Sequence, residues 1–155
     1  MTGVPVPLAE VLEDIAHLDR RERAETLIDY ADRFREVPPA VATRPFPEQH
    51  RVPACESDAF VWSSPRPDGT LQFHFAVENP QGISARALCA LLDETLSGQP
   101  LEQVAKVSPE IVFALFGAEV TMGKGQGLMG IVDLVTREAR QRLSAGEAPP
   151  RCRSR

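Results

Sequence analysis

Apolar residues recur at helical spacing near the N-terminus of the chain. One helical face, predicted over residues 8–18, collects Leu8, Val11, Leu12 and Ile15. A second helix is expected to begin at Asp19, because Asp19 and Glu22 stand at the N-cap and N3 positions of a capping box. The charged residues along it are interpreted as its solvated face. The run Val37-Pro38-Pro39 ends this helix, since proline lacks the backbone donor that a helix needs.

The middle of the chain changes to the alternation that is typical of strands. Residues 59–63 are rich in aromatic and β-branched side chains. Residues 70–77 alternate, with one apolar face formed by Leu71, Phe73, Phe75 and Val77. Asp68-Gly69 between the two strands is a hairpin signal. The proline-rich segment 38–53 predicts a loop laid over the surface of the domain.

Helical patterns return after the strands. We expect a helix over 84–96 capped by Ser84, a short helix near 101–105, a helix that starts at Ser108-Pro109, and a last helix over 127–143. Strands grouped between two sets of helices predict an α+β fold with an antiparallel sheet. We predict one domain over residues 1–144 and a polar, disordered tail over residues 145–155.

Composition narrows the classes of function. The 155 residues carry a formal net charge of −5, and no basic cluster of the kind that nucleic acid requires occurs before the last five positions. No apolar run approaches the ~20 residues that cross a bilayer. The N-terminus has no signal-peptide pattern, so a cytosolic, cytoplasmic protein is expected. Three cysteines at long spacings, without a CxxC pair, argue against a disulfide framework and a zinc site.

Cys55 has the sequence context that points most directly to chemistry. It lies in a polar stretch before the first strand, whereas Cys89 has the apolar neighbours of a core residue and Cys152 lies in the charged tail. A loop thiol can reach another molecule, but its thiolate needs a nearby cation or helix N-terminus. Acidic neighbours oppose this, so the candidate cations lie elsewhere in the chain: Arg86 and Lys124. Local context alone leaves both a functional and a structural thiol open.

A glycine-rich segment over residues 121–127 precedes the last predicted helix. Such a loop before a helix N-terminus has the character of a phosphate cradle. It does not match the P-loop pattern, because Lys124 precedes the relevant glycines and no Ser or Thr follows it. We interpret the segment as a flexible turn.

Several segments, in the same order and at the same spacing, resemble the SufE family. These segments are the helix that starts at Pro7-Leu8-Ala9-Glu10, the run Arg51–Trp62 around Cys55, the hairpin with Asp68-Gly69, and the stretch Leu91–Pro100. The resemblance covers about residues 7–143, and the first helix is similar to that of actinobacterial members. SufE proteins are cysteine desulfuration proteins of iron–sulfur cluster assembly.

The resemblance implies a sulfur-acceptor role. SufE proteins take persulfide sulfur from a PLP-dependent cysteine desulfurase of the SufS type onto one loop cysteine, which corresponds to Cys55 here. They stimulate that partner and pass the sulfur to iron–sulfur scaffold proteins. They hold no cofactor and no metal, and we expect no turnover without the partner. The implied fold is α+β with helices packed on one face of a small antiparallel sheet, as in IscU-type scaffolds, whose three cluster-binding cysteines this chain lacks.

The sequence departs from the family pattern beside the thiol and before the last helix. Glu56 stands where glutamine is usual, and its charge is expected to slow attack by the thiolate. Lys124 stands where arginine is usual, and lysine does not make arginine's bidentate contact. The candidate residues that support the thiol are Glu56, Ser57, Arg86 and Lys124.

Two other functions stay open. One is a regulatory protein that keeps the SufE fold without carrying sulfur, for which a Cys55→Ser variant would still stimulate the desulfurase. The other is a thiol redox or peroxide sensor, for which Cys55 would oxidise readily without any desulfurase.

Overall fold

Six α-helices and two strands make up the described part of the chain in this computed structural model, which covers residues 3–117, 120 and 122–147. In chain order the elements are α1 (Val6–Ala16), α2 (Arg20–Asp32), β1 (Ala59–Pro65), β2 (Leu71–Val77), α3 (Ile83–Leu96), α4 (Leu101–Val104), α5 (Ile111–Phe116) and α6 (Met122–Glu147). A 3-10 turn at Glu48–His50 interrupts the connection from α2 to β1. Within these ranges no helix is both long and apolar enough to span a membrane.

The two strands form the predicted antiparallel hairpin. Ala59 lies opposite Val77 at its open end. In the turn, the Asp68 carboxylate accepts hydrogen bonds from the backbone N–H of Thr70 at 3.0 Å and from the Thr70 hydroxyl at 2.6 Å. Gly69 takes a φ of 89°, a region that favours glycine. The Asp-Gly signal is therefore confirmed.

Helices pack on one face of this hairpin, as the resemblance implied. The hairpin side chains on that face are each at most 3% exposed: Ala59, Val61, Leu71, Phe73, Phe75 and Val77. They join apolar side chains of α1, α3, α5 and α6 in one buried cluster. Full burial of a Val, Leu or Phe side chain contributes about 1.5–3 kcal/mol. This layer therefore holds the hairpin against the helices.

The proline-rich connection covers the opposite face of the hairpin. Its apolar side chains join those of the strands in a second buried cluster: Val37, Phe46, Phe60, Trp62 and Ala76. The ring centroids of Phe46 and Trp62 lie 5.1 Å apart in an edge-on contact. The backbone N–H of Val37 donates to the carbonyl of Phe75 at 2.8 Å. The predicted surface loop is confirmed, and it closes the second face of a two-stranded sheet.

Helix α2 begins as predicted, whereas α3 does not. The Asp19 side chain accepts from the Glu22 N–H at 2.8 Å, and the Glu22 side chain accepts from the Asp19 N–H at 3.0 Å. Helix α3 has Gly82 as its N-cap residue and no side-chain cap, so the prediction of a Ser84 cap was wrong. A Cβ on Gly82 would lie 2.9 Å from Cγ1 of Val77. The close approach of this turn to β2 therefore fixes the start of α3.

Helix α6 is longer than predicted at both ends. It begins at Met122, so the prediction of a flexible turn was wrong for residues 122–126. It ends at Glu147, three residues into the segment predicted as a tail, and the rest of that segment lies outside the described residues. Glycine costs a helix about 1 kcal/mol per residue relative to alanine. A packing contact must therefore account for the glycines at the start of α6.

Candidate functional site

Cys55 is carried by a short loop, residues 53–58, whose two ends are joined. We call it the Cys55 loop. Just outside it, Arg51 pairs with Phe60 in an isolated antiparallel bridge. The side chain of Arg51 also forms an ion pair with Asp58 across the neck of the loop. These contacts bring the two ends of the loop together and leave its tip to extend over other elements.

The backbone of the Cys55 loop is strained at two positions. Ala54 has a φ of 56° and Asp58 a φ of 54°. This left-handed region costs an ordinary L-residue about 1–2 kcal/mol, although Asp tolerates it better than Ala. The N–H of Asp58 donates to the carbonyl of Cys55 at 3.1 Å, which tightens the turn. Such a conformation persists only where surrounding contacts hold it.

Glycines of α6 form the floor under the Cys55 loop. Gly123, Gly127 and Gly130 are spaced four and three residues apart, so they share one helical face. A Cβ on Gly127 would lie 3.1 Å from the Cα of Cys55, and a Cβ on Gly130 would lie 2.8 Å from Cγ1 of Val52. The missing side chains let the loop backbone lie directly on the helix. This contact explains why a glycine-rich segment is helical here.

A turn at residues 79–82 forms the wall of the loop on its other side. The side-chain Nδ2 of Asn79 donates to the carbonyl of Glu56 at 3.1 Å. The backbone N–H of Asn79 donates to the carbonyl of Ser57 at 3.1 Å. The Cβ and Oγ of Ser57 would each lie 3.0 Å from a Cβ on Gly82. The loop is thus enclosed between this turn and α6.

Arg86 supports that turn and does not donate to the Cys55 loop. Its Nη1 donates to the carbonyl of Pro80 at 3.2 Å, and its Nη2 donates to the carbonyl of Val77 at 3.1 Å. Its hydrogen bonds therefore connect α3 to the backbone on both sides of Asn79. These hydrogen bonds give Arg86 a structural role. Its role as a cation for the thiolate stays a prediction.

Glu56 and Lys124 border the N-terminal end of α6. A Cβ on Gly123 would lie 3.9 Å from Oε2 of Glu56. Negative charge is favoured at this end of a helix, so α6 offsets part of the charge that Glu56 adds beside the thiol. Lys124 is an exposed residue in the first turn of α6, not in a loop. Cys55, Glu56 and Ser57 thus lie on the loop itself, Arg86 bonds the turn beside it, and Lys124 follows Gly123 in the first turn of α6.

The two described thiols differ in accessibility. Cys55 is partly exposed and packs against the main core cluster, whereas Cys89 on α3 is 0% exposed. Burial raises the pKa of the Cys89 thiol well above its ordinary value, the charge of nearby Cys55 raises it further, and Arg86 opposes the rise. Cys89 is therefore a neutral core thiol, as its apolar neighbours predicted. Cys55 is the one of the pair that another molecule can reach.

Three residues that shape the site were missed by the sequence reasoning. The sequence reasoning gave Asn79 no role, and it did not align Gly127 and Gly130 with Gly123 on one helical face. Their spacing from Gly123 was the available signal, because residues at i, i+4 and i+7 align on one face. Among the described residues there is no group of three or more His, Cys, Asp or Glu side chains that could hold a metal ion.

Fold and site together define a small α+β protein in which Cys55, of the two cysteines in the described residues, is the accessible one and lies on a loop held at both ends. Over residues 9–139 the chain matches the family model of SufE, the Fe-S metabolism associated domain. This protein therefore belongs to the SufE family, whose role lies in iron–sulfur metabolism.

Individual relatives agree with this assignment. Two uncharacterised SufE-like proteins of Mycobacterium tuberculosis, from strains CDC 1551 / Oshkosh and ATCC 25618 / H37Rv, are each 23% identical over 141 residues. Each match covers 90% of this chain and 95% of the relative. The solution structure of a hypothetical protein from Thermus thermophilus is similar with a TM-score of 0.75 at 26% identity, covering 91% of this chain and 98% of that one.

Proposed function

We propose that this protein accepts persulfide sulfur on Cys55 from a PLP-dependent cysteine desulfurase of the SufS type. It then passes the sulfur to scaffold proteins of iron–sulfur cluster assembly. The observation that carries the proposal is the contrast between the thiols of a SufE-family chain: Cys55 is partly exposed on a loop, and Cys89 is enclosed in the core. Only a thiol on the surface can meet a sulfur atom held by another protein.

The chemistry is an exchange between a thiolate and a persulfide. The Cys55 thiolate attacks the terminal sulfur of the partner's cysteine persulfide, a new S–S bond forms, and the partner's own S–S bond breaks. The partner's cysteine leaves as a thiolate and Cys55 becomes the persulfide, so there is no net oxidation or reduction. Removal of the sulfur frees the partner's cysteine for its next turnover, and we expect this to stimulate the desulfurase.

The position of the loop suits this exchange. Both the N-cap of α3, at Gly82, and the first turn of α6, at Gly123, approach the loop. Helix N-termini favour negative charge on the parts of the loop that they approach, Glu56 and Ser57, while Cys55 itself lies against Gly127, the sixth residue of α6. The core beneath Cys55 shields one side of the persulfide from water, and the exposed side is left for the partner.

Intact-protein mass spectrometry tests the proposal. The protein is mixed with a SufS-type desulfurase, PLP and free cysteine, without reductant. We expect a mass gain of one sulfur atom that maps to Cys55 and is absent from a Cys55→Ser variant. Cys89→Ala and Cys152→Ser are the matched controls, and both are expected to keep the gain.

Other outcomes point to other functions. If the desulfurase is loaded and active but this protein gains no sulfur, the acceptor role is refuted. If Cys55→Ser still stimulates the desulfurase, the protein is a regulator that carries no sulfur. If Cys55 instead reacts with dilute peroxide faster than with the loaded desulfurase, a redox sensor is the better description.

A further inference from the structure

We propose that Asn79 is a positioning residue for Cys55, because it ties the Cys55 loop to a turn that α3 holds in place. The inference rests on the proposed function for its significance, since the location of the thiol decides which partner sulfur it meets. Its first measurement needs no desulfurase, so the two proposals can fail separately.

The turn at residues 79–82 is rigid by its own bonding. The Asn79 Oδ1 accepts from the N–H of Gln81 at 2.9 Å, and the Asn79 carbonyl accepts from the N–H of Gly82 at 2.9 Å. An asparagine that bonds the backbone two residues on is a known way to fix a turn. Pro80 restricts the backbone at the next position. The Oδ1 end of the Asn79 amide thus stabilises the turn itself.

Arg86 fastens this turn to the first helical turns of α3. Its guanidinium donates to carbonyls on either side of Asn79, those of Val77 and Pro80. An arginine fork that meets two carbonyls fixes their separation as well as their direction. The turn therefore moves with α3, which is part of the main core.

The Nδ2 end of the Asn79 amide contacts the Cys55 loop. Its Nδ2 donates at 3.1 Å to the carbonyl of Glu56, the residue that follows the thiol. The backbone at residues 78 and 79 adds two more bonds: the N–H of Asn79 donates to the carbonyl of Ser57 and the N–H of Glu78 to that of Asp58, each at 3.1 Å. Those backbone bonds do not depend on the side chain. The Nδ2 bond is therefore the contact that a substitution at 79 removes selectively.

The variant Asn79→Asp removes this donor at nearly constant shape. The carboxylate still accepts from the Gln81 N–H, but it opposes the Glu56 carbonyl. Gln81→Glu is the matched control, because it places the same charge two residues away on an exposed side chain whose backbone alone bonds the turn. The measurement is the rate of Cys55 alkylation by iodoacetamide over a range of pH, together with hydrogen exchange of residues 55–58.

We expect Asn79→Asp to raise the alkylation rate about fivefold relative to Gln81→Glu, which corresponds to loss of one net hydrogen bond of ~1 kcal/mol. The factor should be the same at every pH, because the variant changes how often the thiol is accessible. A shift in the midpoint of the pH profile without a change in the limiting rate would indicate a charge effect and overturn the proposal.

A second variant guards against misfolding. Asn79→Ser keeps an oxygen acceptor for the turn, carries no charge and lacks the Nδ2 donor. It is expected to raise the alkylation rate and to increase hydrogen exchange at residues 55–58 while exchange in α3 stays unchanged. Rates equal to those of the wild type in both Asn79 variants would refute the positioning role, whether or not the wild type accepts sulfur.

Discussion

The contact between α6 and the Cys55 loop gives a sharp prediction for Gly127→Ala. The added Cβ would lie 3.1 Å from the Cα of Cys55 and 3.4 Å from both the Cys55 Cβ and the Ala54 carbonyl oxygen. These are mostly backbone atoms, so no flexible side chain can turn aside, and the loop must move by a few tenths of an ångström. The substitution therefore has two opposing effects on stability: it favours the helix, and it disturbs the packing of the loop on the helix.

The magnitudes decide the sign. Alanine in place of glycine inside a helix is worth about 1 kcal/mol. Overpacking of a close contact costs about 1–3 kcal/mol. We therefore expect Gly127→Ala to lower the free energy of unfolding by between 0 and about 2 kcal/mol, the difference of these two terms. Urea denaturation measures this value.

A control in the same helix separates the two terms. A Cβ on Gly146 would meet nothing within 4 Å, so Gly146→Ala should be neutral or slightly stabilising. We further expect faster alkylation of Cys55 in Gly127→Ala only, because the displaced loop exposes the thiol. If Gly127→Ala stabilises the protein as much as Gly146→Ala does, and Cys55 reacts at the wild-type rate, the proposed floor under the loop is refuted.

Two further predictions concern the neck of the loop and the edge of the sheet. Asp58→Asn removes the ion pair with Arg51 but keeps a residue that tolerates a φ of 54°. In urea denaturation it should lower the free energy of unfolding by less than about 1 kcal/mol, and Asp58→Val should lower it by more. Equal losses of stability in the two variants would contradict the role of backbone strain. Burial lowers the pKa of His74 below its ordinary value of 6.5. Between the lowered pKa and 6.5 the unfolded chain therefore binds more protons than the folded protein does, and the free energy of unfolding falls as the pH falls through that window. His74→Gln should reduce the dependence of the free energy of unfolding on pH in this window. An unchanged slope would contradict the assignment of that dependence to His74.

Local signals in the sequence predicted the elements whose structure depends on local chemistry. The capping box of Asp19 and Glu22 and the turn at Asp68 are set by side chains that bond their own neighbours. The alternation of apolar and polar residues in β2 predicted the buried face of that strand, because the pattern lies within one short segment of the chain. Fold class and the cysteine that carries the site followed from this pattern and from the family resemblance.

What the sequence could not provide depends on contacts between distant segments. Gly127 costs helix stability when judged alone, and the local pattern does not show that the backbone of Cys55 lies against it. Ser84 is a better local cap than Gly82, but a larger residue at 82 would collide with Ser57 and Val77. The amide of Asn79 likewise reaches Glu56 across 23 positions of the chain. Local propensity gave way in each case to the packing of the Cys55 loop.

Contributions of similar size act in opposite directions on the Cys55 loop. The exposed ion pair at its neck is worth up to about 1 kcal/mol, and the Asn79 hydrogen bond about 1 kcal/mol. Strain at Ala54, at φ 56°, acts in the opposite direction with about 1–2 kcal/mol. The side-chain bonds and the strain nearly cancel, so packing on α6 and the backbone bonds to the turn decide the resting state. A partner that displaces the loop must therefore offset that packing and those backbone bonds by binding the displaced loop more tightly than the resting one.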